Sequence, residues 1–435
     1  MKRHPLHEII SFQKQGIAKG IFSVCSANRF VIETTLEYAM TKEIPVLIEA
    51  TCNQVNQFGG YTGMTPADFR DMVFSIAEDV GLSKDRIILG GDHLGPNPWK
   101  DQPADQAMDK ALEMVREYAK AGFTKLHLDT SIRLADDSGN ENESLNPEII
   151  AERTALLCLK AERTFKESCA ALLPVYVIGS DVPSPGGTQS EDKSIHVTSA
   201  YDFERTIMLT KKAFYNYGLH EAWERVIAVV VQPGVEFSNE HIFEYERNQA
   251  KELTNAIKKY PNIVFEGHST DYQTVKALKE MVEDGIAILK VGPALTFAFR
   301  EALFALNSIE KELFYDTPGI CSNLVEVIEK IMLDNPRHWE KYYRGDEKQR
   351  RIARKYSFLD RLRYFWDFPA IKTAANKLIA NLESIEIPLT LISQYMPVQY
   401  HKIRNGLLKK DPISLIKDHI SNVLDDYKLA TNMGK

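Results

Sequence analysis

Short apolar runs alternate with longer amphipathic stretches from the start of the chain to about residue 315. The apolar runs fall at 20–24, 46–49, 87–90, 125–129, 175–178, 226–231, 263–266 and 286–291. Each is short and closed by glycine, proline or polar residues, the pattern of a strand buried on both faces in a parallel sheet. Between them, 65–80, 104–121 and 148–166 repeat apolar positions at helical spacing and are long enough to return the chain to the same edge. Strands alternating with crossover helices in this number predict an α/β fold, a TIM (β/α)8 barrel. A doubly wound open sheet is the alternative. It lacks support, because no Gly-x-Gly-x-x-Gly follows the first strand and no P-loop is present.

Past residue 313 the strands stop. Stretches 323–334, 337–344, 359–365, 370–382 and 414–427 look helical, with Pro336, Pro369, Pro388, Pro397 and Pro412 as breakers. Apolar and aromatic content stays high there, so this part is expected to fold. The expected organisation is a TIM barrel over 1–315 and a helical C-terminal extension over 316–435, packed on the barrel.

Composition changes the picture only by exclusion. Hydrophobic residues at 44% and charged residues at 26% are those of an ordinary globular chain of 435 residues. A net charge of -7 gives no basic footprint for nucleic acid, and no apolar run approaches a membrane span. The N-terminus lacks a signal-peptide core. Five cysteines without a CxxC pair (Cys25, Cys52, Cys158, Cys169, Cys321) read as reduced thiols of a cytoplasmic protein.

Barrel chemistry collects at the carboxyl ends of the strands, so those positions are compared first. The third run ends in Gly90-Gly91-Asp92-His93, and Leu126-His127-Leu128-Asp129 alternates so that His127 and Asp129 share a face. The other runs present Cys25 and Ser26, Glu49 followed by Thr51, Asn53 and Gln54, Ser180 and Asp181, Gln232, Glu266 and His268, and Lys290. His93, Asp129, Gln232 and His268 would converge as two imidazoles, a carboxylate and an amide oxygen. That set suits Zn²⁺, with Mn²⁺ or Co²⁺ as alternatives. Asp92, Asp129 and Glu49 are the candidate proton-transfer groups. Loops after barrel strands carry substrate contacts, which brings in Gln54, Asn56 and Asp181 and the turn-rich 181–187. The amides of Gly59 and Gly60 could face an anion. Arg361 and Arg363, with Lys290, are candidate phosphate contacts, because a guanidinium fork matches phosphate. The basic run 348–355 reads as a solvated helix face.

Several long segments then carry a resemblance: IEATCNQVNQFGGYTGMTPADFR, ILGGDHLGPN, VVVQPGVEF, HSTDYQ, ILKVGPALTFAFREALF, YSFLDRLRY and ISQYMPVQY. They are similar to the Z-type subunit family of D-tagatose-1,6-bisphosphate aldolase (GatZ/KbaZ), over nearly the whole chain. The resemblance implies a TIM barrel related to class II aldolases. It also implies a component needed for the activity and stability of a separate Y-type catalytic subunit, in galactitol and N-acetylgalactosamine catabolism. Relatives have also been assigned as C4-epimerases of ketohexoses or their 6-phosphates, and an older label, tagatose 6-phosphate kinase, finds no phosphate-binding glycine loop here. Against class II aldolases generally, Gln232 stands where a third metal-binding histidine is expected. Ser269-Thr270-Asp271-Tyr272 replaces a glycine-serine phosphate loop, and Ser180-Asp181 stands where relatives carry Thr-Glu. The subunit role is the reading taken, with a metal-dependent 4-epimerase of fructose and tagatose or their 6-phosphates as its alternative. A sugar or sugar phosphate is the expected small ligand; self-association stays open.

Overall fold

Valine, isoleucine and leucine crowd the eight short runs, and in the computed structural model these runs close into one parallel barrel. Residues 3–139, 144–168, 171–183, 187 and 195–434 are described. The barrel strands are β1 Ile21–Val24, β2 Val46–Thr51, β3 Ile87–Leu94, β4 Lys125–Leu128, β5 Val175–Ile178, β6 Val226–Val231, β7 Val264–Gly267 and β8 Ile286–Val291. Each pairs with its neighbours in sequence, and β1 closes the ring on β8 with Ile21 opposite Ile288 and Val24 opposite Val291. The open-sheet alternative is thereby excluded. Nearly every strand residue is buried, as an outer ring of helices requires.

Two features of the barrel were not foreseen. β3 runs on through Asp92 and His93 to Leu94, and its register with β4 breaks between Gly91 and Leu94, where His93 takes φ +49°. A two-stranded hairpin, Glu236–Phe237 with Ile242–Phe243, also rises after β6.

The crossover helices match expectation closely. Helix Pro66–Val80 starts at Thr65, whose hydroxyl and Asp68 form a reciprocal capping box. Ala104–Lys120 and Pro147–Glu167 cover 104–121 and 148–166.

The extension departs further. Leu324–Asp334, Pro369–Glu383 and Pro412–Thr431 are helices as expected, while Leu389–Tyr395 and Pro397–Arg404 were missed. Stretch 337–344 is not an α-helix: one 3-10 turn, Pro336–His338, ends where Trp339 swings to φ -129°. Stretch 359–365 likewise holds only the 3-10 turn Arg361–Tyr364, because Asp360 enters it at φ +41°. The basic run does lie on a helix, Glu347–Tyr356, but that helix is not simply solvated. Arg354 is buried, 2.6 Å from both Glu329 and Glu347, with its guanidinium over the Trp339 ring.

The residue-315 boundary does not separate the extension from the barrel wall. Helix Pro412–Thr431 packs against β1 and against helices Arg29–Lys42, Val275–Glu283 and Pro293–Leu313. The Gly20 amide donates to Thr431 O at 2.9 Å, and Asn432 Nδ2 donates to Ala18 O at 2.8 Å. The Tyr427 hydroxyl donates to Thr270 O at 2.8 Å.

Candidate functional site

Alternation along β4 sends Lys125 and His127 inward on one face, and β2, β7 and β8 send in Glu49, Glu266 and Lys290. The barrel interior is therefore not wholly apolar below its mouth. Lys125 Nζ lies 2.7 Å from Glu49 Oε1 and 2.6 Å from Glu266 Oε2, and all three side chains are fully buried. These are charge contacts, not aligned hydrogen bonds. Lys290 pairs with Glu49, and its Nζ lies 2.9 Å from Asp92 Oδ1 and 3.6 Å from Glu266 Oε1. Gly90 makes this possible: a Cβ there would come within 2.6 Å of Glu49 Cγ. Burial works against Lys290's charge, yet Asp92, Cys25, Glu49 and Glu266 together raise it well above the usual lysine range. Asp92 and Glu266 shift the other way, held well below the usual carboxylate range despite burial, Asp92 mainly by Lys290 and Glu266 by Lys125 and Lys290.

Above this floor stand three imidazoles. Ring centroids of His93, His127 and His268 are 4.7 to 5.1 Å apart, and ligand atoms of these residues and Asp92 lie within 4.8 Å of one another. Each ring has one nitrogen held by a carboxylate: His93 Nδ1 by Asp129 at 2.8 Å, His127 Nδ1 by Asp92 at 3.0 Å, His268 Nε2 by Glu266 at 3.0 Å. The second nitrogen of His127 is buried without a hydrogen-bond partner. Carboxylates that hold one imidazole nitrogen while the other stays open orient histidines for a metal ion. Burial pushes His268 down to about 3, so its imidazole is neutral at pH 7 as a ligand must be. The donor set fits a divalent cation. At His127 the His93 amide, 3.1 Å from Nδ1, competes with Asp92 for the same nitrogen. Ligation through Nε2 requires the Asp92 contact and an Nδ1–H tautomer.

The expected ligand set changes accordingly. His93 and His268 lie together. Asp129 sits behind His93, its other oxygen accepting from the Ser131 amide at 3.0 Å and hydroxyl at 2.6 Å, so it orients the imidazole. Gln232 is not brought in, because its Oε1 accepts the amides of Gly234 and Val235 at 2.9 and 3.0 Å. His127 stands where Gln232 was expected. The period-2 alternation already placed it on Asp129's face, one layer deeper, and that was the signal to follow.

A cavity of about 740 Å³ opens over the cluster, lined by Asp92, His93, Asp129, His268 and Lys290 below. One wall comes from the extension: Arg337, His338, Lys341, Arg361, Arg363 and Tyr364. Both expected arginines are there, but each is anchored. Arg361 Nε donates to His338 O at 2.6 Å and its guanidinium lies 3.7 Å from the Tyr342 ring centroid, while Arg363 donates to Leu359 O and, at 3.1 Å, to Asp360 O. Gln54 and Asn56 also line the cavity, although their amides are engaged by backbone groups, Gln54 Nε2 donating to Cys25 O at 3.5 Å. Gln54 Oε1 accepts from Thr51 N at 2.8 Å, and Asn56 Oδ1 accepts from Phe58 N at 2.9 Å and Gly60 N at 3.1 Å. The Gly59 amide donates to Asn56 O, so neither glycine amide faces an anion. Asp181 is exposed, accepts from the Thr198 hydroxyl and is absent from the lining. Residues 184–186 of that loop, and Cys169, lie outside the described residues.

The comparisons with known proteins agree along the full length. The D-tagatose-1,6-bisphosphate aldolase subunit GatZ of Salmonella dublin is 50% identical over 425 residues, which is 98% of this chain and 99% of that protein. The subunit of the same name from Salmonella gallinarum shows the same identity and coverage. Among solved structures, a probable tagatose 6 phosphate kinase from Sinorhizobium meliloti 1021 superposes with a TM-score of 0.86 at 45% identity, over 95% of this chain and all of that one. The family model for D-tagatose-1,6-bisphosphate aldolase subunits of GatZ/KbaZ type matches residues 6–432, and the chain belongs to that family.

Proposed function

We propose that this chain is the Z-type component of a class II tagatose-1,6-bisphosphate aldolase, sustaining the activity and stability of a Y-type catalytic partner in galactitol and N-acetylgalactosamine catabolism. The observation that carries this is half identity, end to end, to proteins bearing the GatZ subunit name. The reading includes a divalent ion, Zn²⁺ first and Mn²⁺ or Co²⁺ next, held by His93, His127 and His268 beside Asp92. Bound there, the ion would supply Lewis-acid polarisation of a ketose oxygen. The chain's own residues would do the rest. Asp129 fixes the His93 ring, Lys290 keeps Asp92 charged, and the cation-rich wall of Arg337, Lys341, Arg361 and Arg363 suits a sugar phosphate. Among the described residues no helix is long and apolar enough to cross a membrane, and we place the protein in the cytoplasm.

A 4-epimerase acting without a partner is the second reading, favoured by the polar cavity, which a purely stabilising subunit would not need. One experiment separates the two. Co-expression with the Y-type subunit should give a single co-eluting peak whose cleavage activity outlasts that of the partner alone. Separate elution with an unchanged partner half-life rejects the subunit role. Interconversion of tagatose and fructose 6-phosphates by the chain alone would establish the epimerase.

A further inference from the structure

Tyr364 closes the 3-10 turn Arg361–Tyr364 and lines the same cavity as Asp92, His93 and Lys290. Its hydroxyl accepts from Arg361 Nη1 at 3.2 Å and from Arg363 Nη2 at 3.1 Å. A phenol oxygen has two acceptor positions and one proton. Both acceptor positions are taken, so the proton is directed away from the two guanidinium groups. It finds no acceptor among the described residues. The donors cannot easily leave, because backbone carbonyls anchor both arginines and neither forms an ion pair among the described residues. The ring is also fixed: His338 stacks on it at 5.2 Å with planes 1° apart, and Tyr61 meets it edge-on at 4.5 Å.

We propose that the Tyr364 hydroxyl is a proton donor and acceptor for a sugar oxygen bound in the cavity, with Arg361 and Arg363 stabilising its phenolate. The proposal rests on the second reading above, in which this chain itself turns over tagatose and fructose 6-phosphates. In the direction of bond making, the enediolate carbon C3 attacks the aldehyde carbon C4, and the C3–C4 bond forms as the carbonyl π pair moves to O4. That oxygen takes the proton from Tyr364, leaving a phenolate between two cations. Cleavage reverses each movement: the phenolate removes the O4 proton, C4 becomes an aldehyde, and the bond pair returns to the enediolate. Nothing is oxidised or reduced. The charged and titratable groups facing the phenol are Arg361 and Arg363 from its own turn, His338 stacked on its ring and Tyr61 from the loop after β2, while Arg337 and Lys341 line the same cavity. Burial alone would raise the phenol, and the two adjacent arginines overcome it and lower Tyr364 below the usual tyrosine range.

The first test needs neither partner nor sugar. In a spectrophotometric pH titration of the whole chain, one of its 18 tyrosines should ionise ahead of the rest. Tyr364→Phe should abolish that early step, and Arg361→Gln should move it to higher pH while the thermal midpoint stays near wild type. Superimposable wild-type and Tyr364→Phe curves overturn the proposal. The second test uses the chain alone with tagatose 6-phosphate and Zn²⁺. Tyr364→Phe should lower kcat ~10²–10⁴-fold, with little change in KM, and should remove the alkaline limb of the pH profile. A kcat within about threefold of wild type overturns the acid–base role. If wild type interconverts neither 6-phosphate, the epimerase reading fails, and the tyrosine titration alone decides for or against Tyr364.

Discussion

Two buried charged regions face each other across the cavity, and their carboxyl groups move in opposite directions. On the barrel floor Asp92 and Glu266 are held far below their ordinary range. Around the wall, burial pushes Asp271 in the loop after β7 and Asp360 in the extension up to about 6, and Glu236 on the hairpin after β6 up to about 7. Burial is comparable, so depth is not the cause. The floor acids point into the barrel from β3 and β7, where a lysine Nζ or an imidazole lies about 3 Å away. The wall has positive charge nearby, but its arginines are committed to carbonyl oxygens and aromatic faces. Arg300 donates to Lys355 O and lies over the Phe297 ring, and Arg363 donates to Leu359 O. A cation held by a carbonyl still attracts an acid, but too weakly to offset desolvation. The floor is thus a closed set of ion pairs, while the wall keeps cations available to a ligand.

The largest effect should come from opening the floor. Lys125→Met leaves Glu49 and Glu266 without their shared partner and should cost about 3–5 kcal/mol in chemical denaturation. A loss under about 1 kcal/mol would mean that Lys290 alone neutralises both acids, and the contrast with the wall would fail.

Next comes the imidazole cluster proposed to hold the ion. His127→Ala should weaken divalent-ion binding by more than about 100-fold, since loss of a mere supporting contact typically costs 10–100-fold. Gln232→Ala should leave ion content unchanged in elemental analysis after dialysis. Equal losses in both variants would return Gln232 to the ligand set.

The smallest effect belongs to the wall. Burial pushes Asp360 up from the ordinary 3.8 to about 6 in the folded protein. A folded value above the unfolded one means its stabilisation is complete below pH 3.8 and lost as pH rises through 6. Asp360→Asn, which also tolerates the positive φ there, should erase that decline and gain on the order of 1 kcal/mol at pH 7. A variant less stable than wild type at pH 7, by urea titration, would show that Asp360 is ion-paired after all.

These two regions were not equally readable in the chain. Strand periodicity announces the floor: once 125–129 is a strand, Lys125, His127 and Asp129 must share a face, and the ring brings Glu49, Glu266 and Lys290 to meet them. Reading one residue per strand end points to Gln232, whereas β4 contributes several layers and the Gln232 amide oxygen is taken by its own loop. The wall follows no period. Arg361 and Arg363 were recognisable by residue type, yet the turn that aims them depends on Asp360 at positive φ and on His338 and Tyr342 from the preceding segment. The 3-10 turns at 336–338 and 361–364 therefore read falsely as α-helix.

The helix Pro412–Thr431 has a consequence for how the molecule is made. Asn432 and Ala18 hydrogen-bond across 414 residues of chain, and Phe22 of β1 packs on Tyr427 with ring centroids 6.1 Å apart. On a ribosome the first strand therefore emerges long before the helix that covers it, and its apolar face stays wet throughout elongation. Domains commonly fold as units in the order they are synthesised, and transiently exposed apolar surface is what chaperones bind. This barrel cannot finish from its N-terminus forward: its first strand is the last to be enclosed.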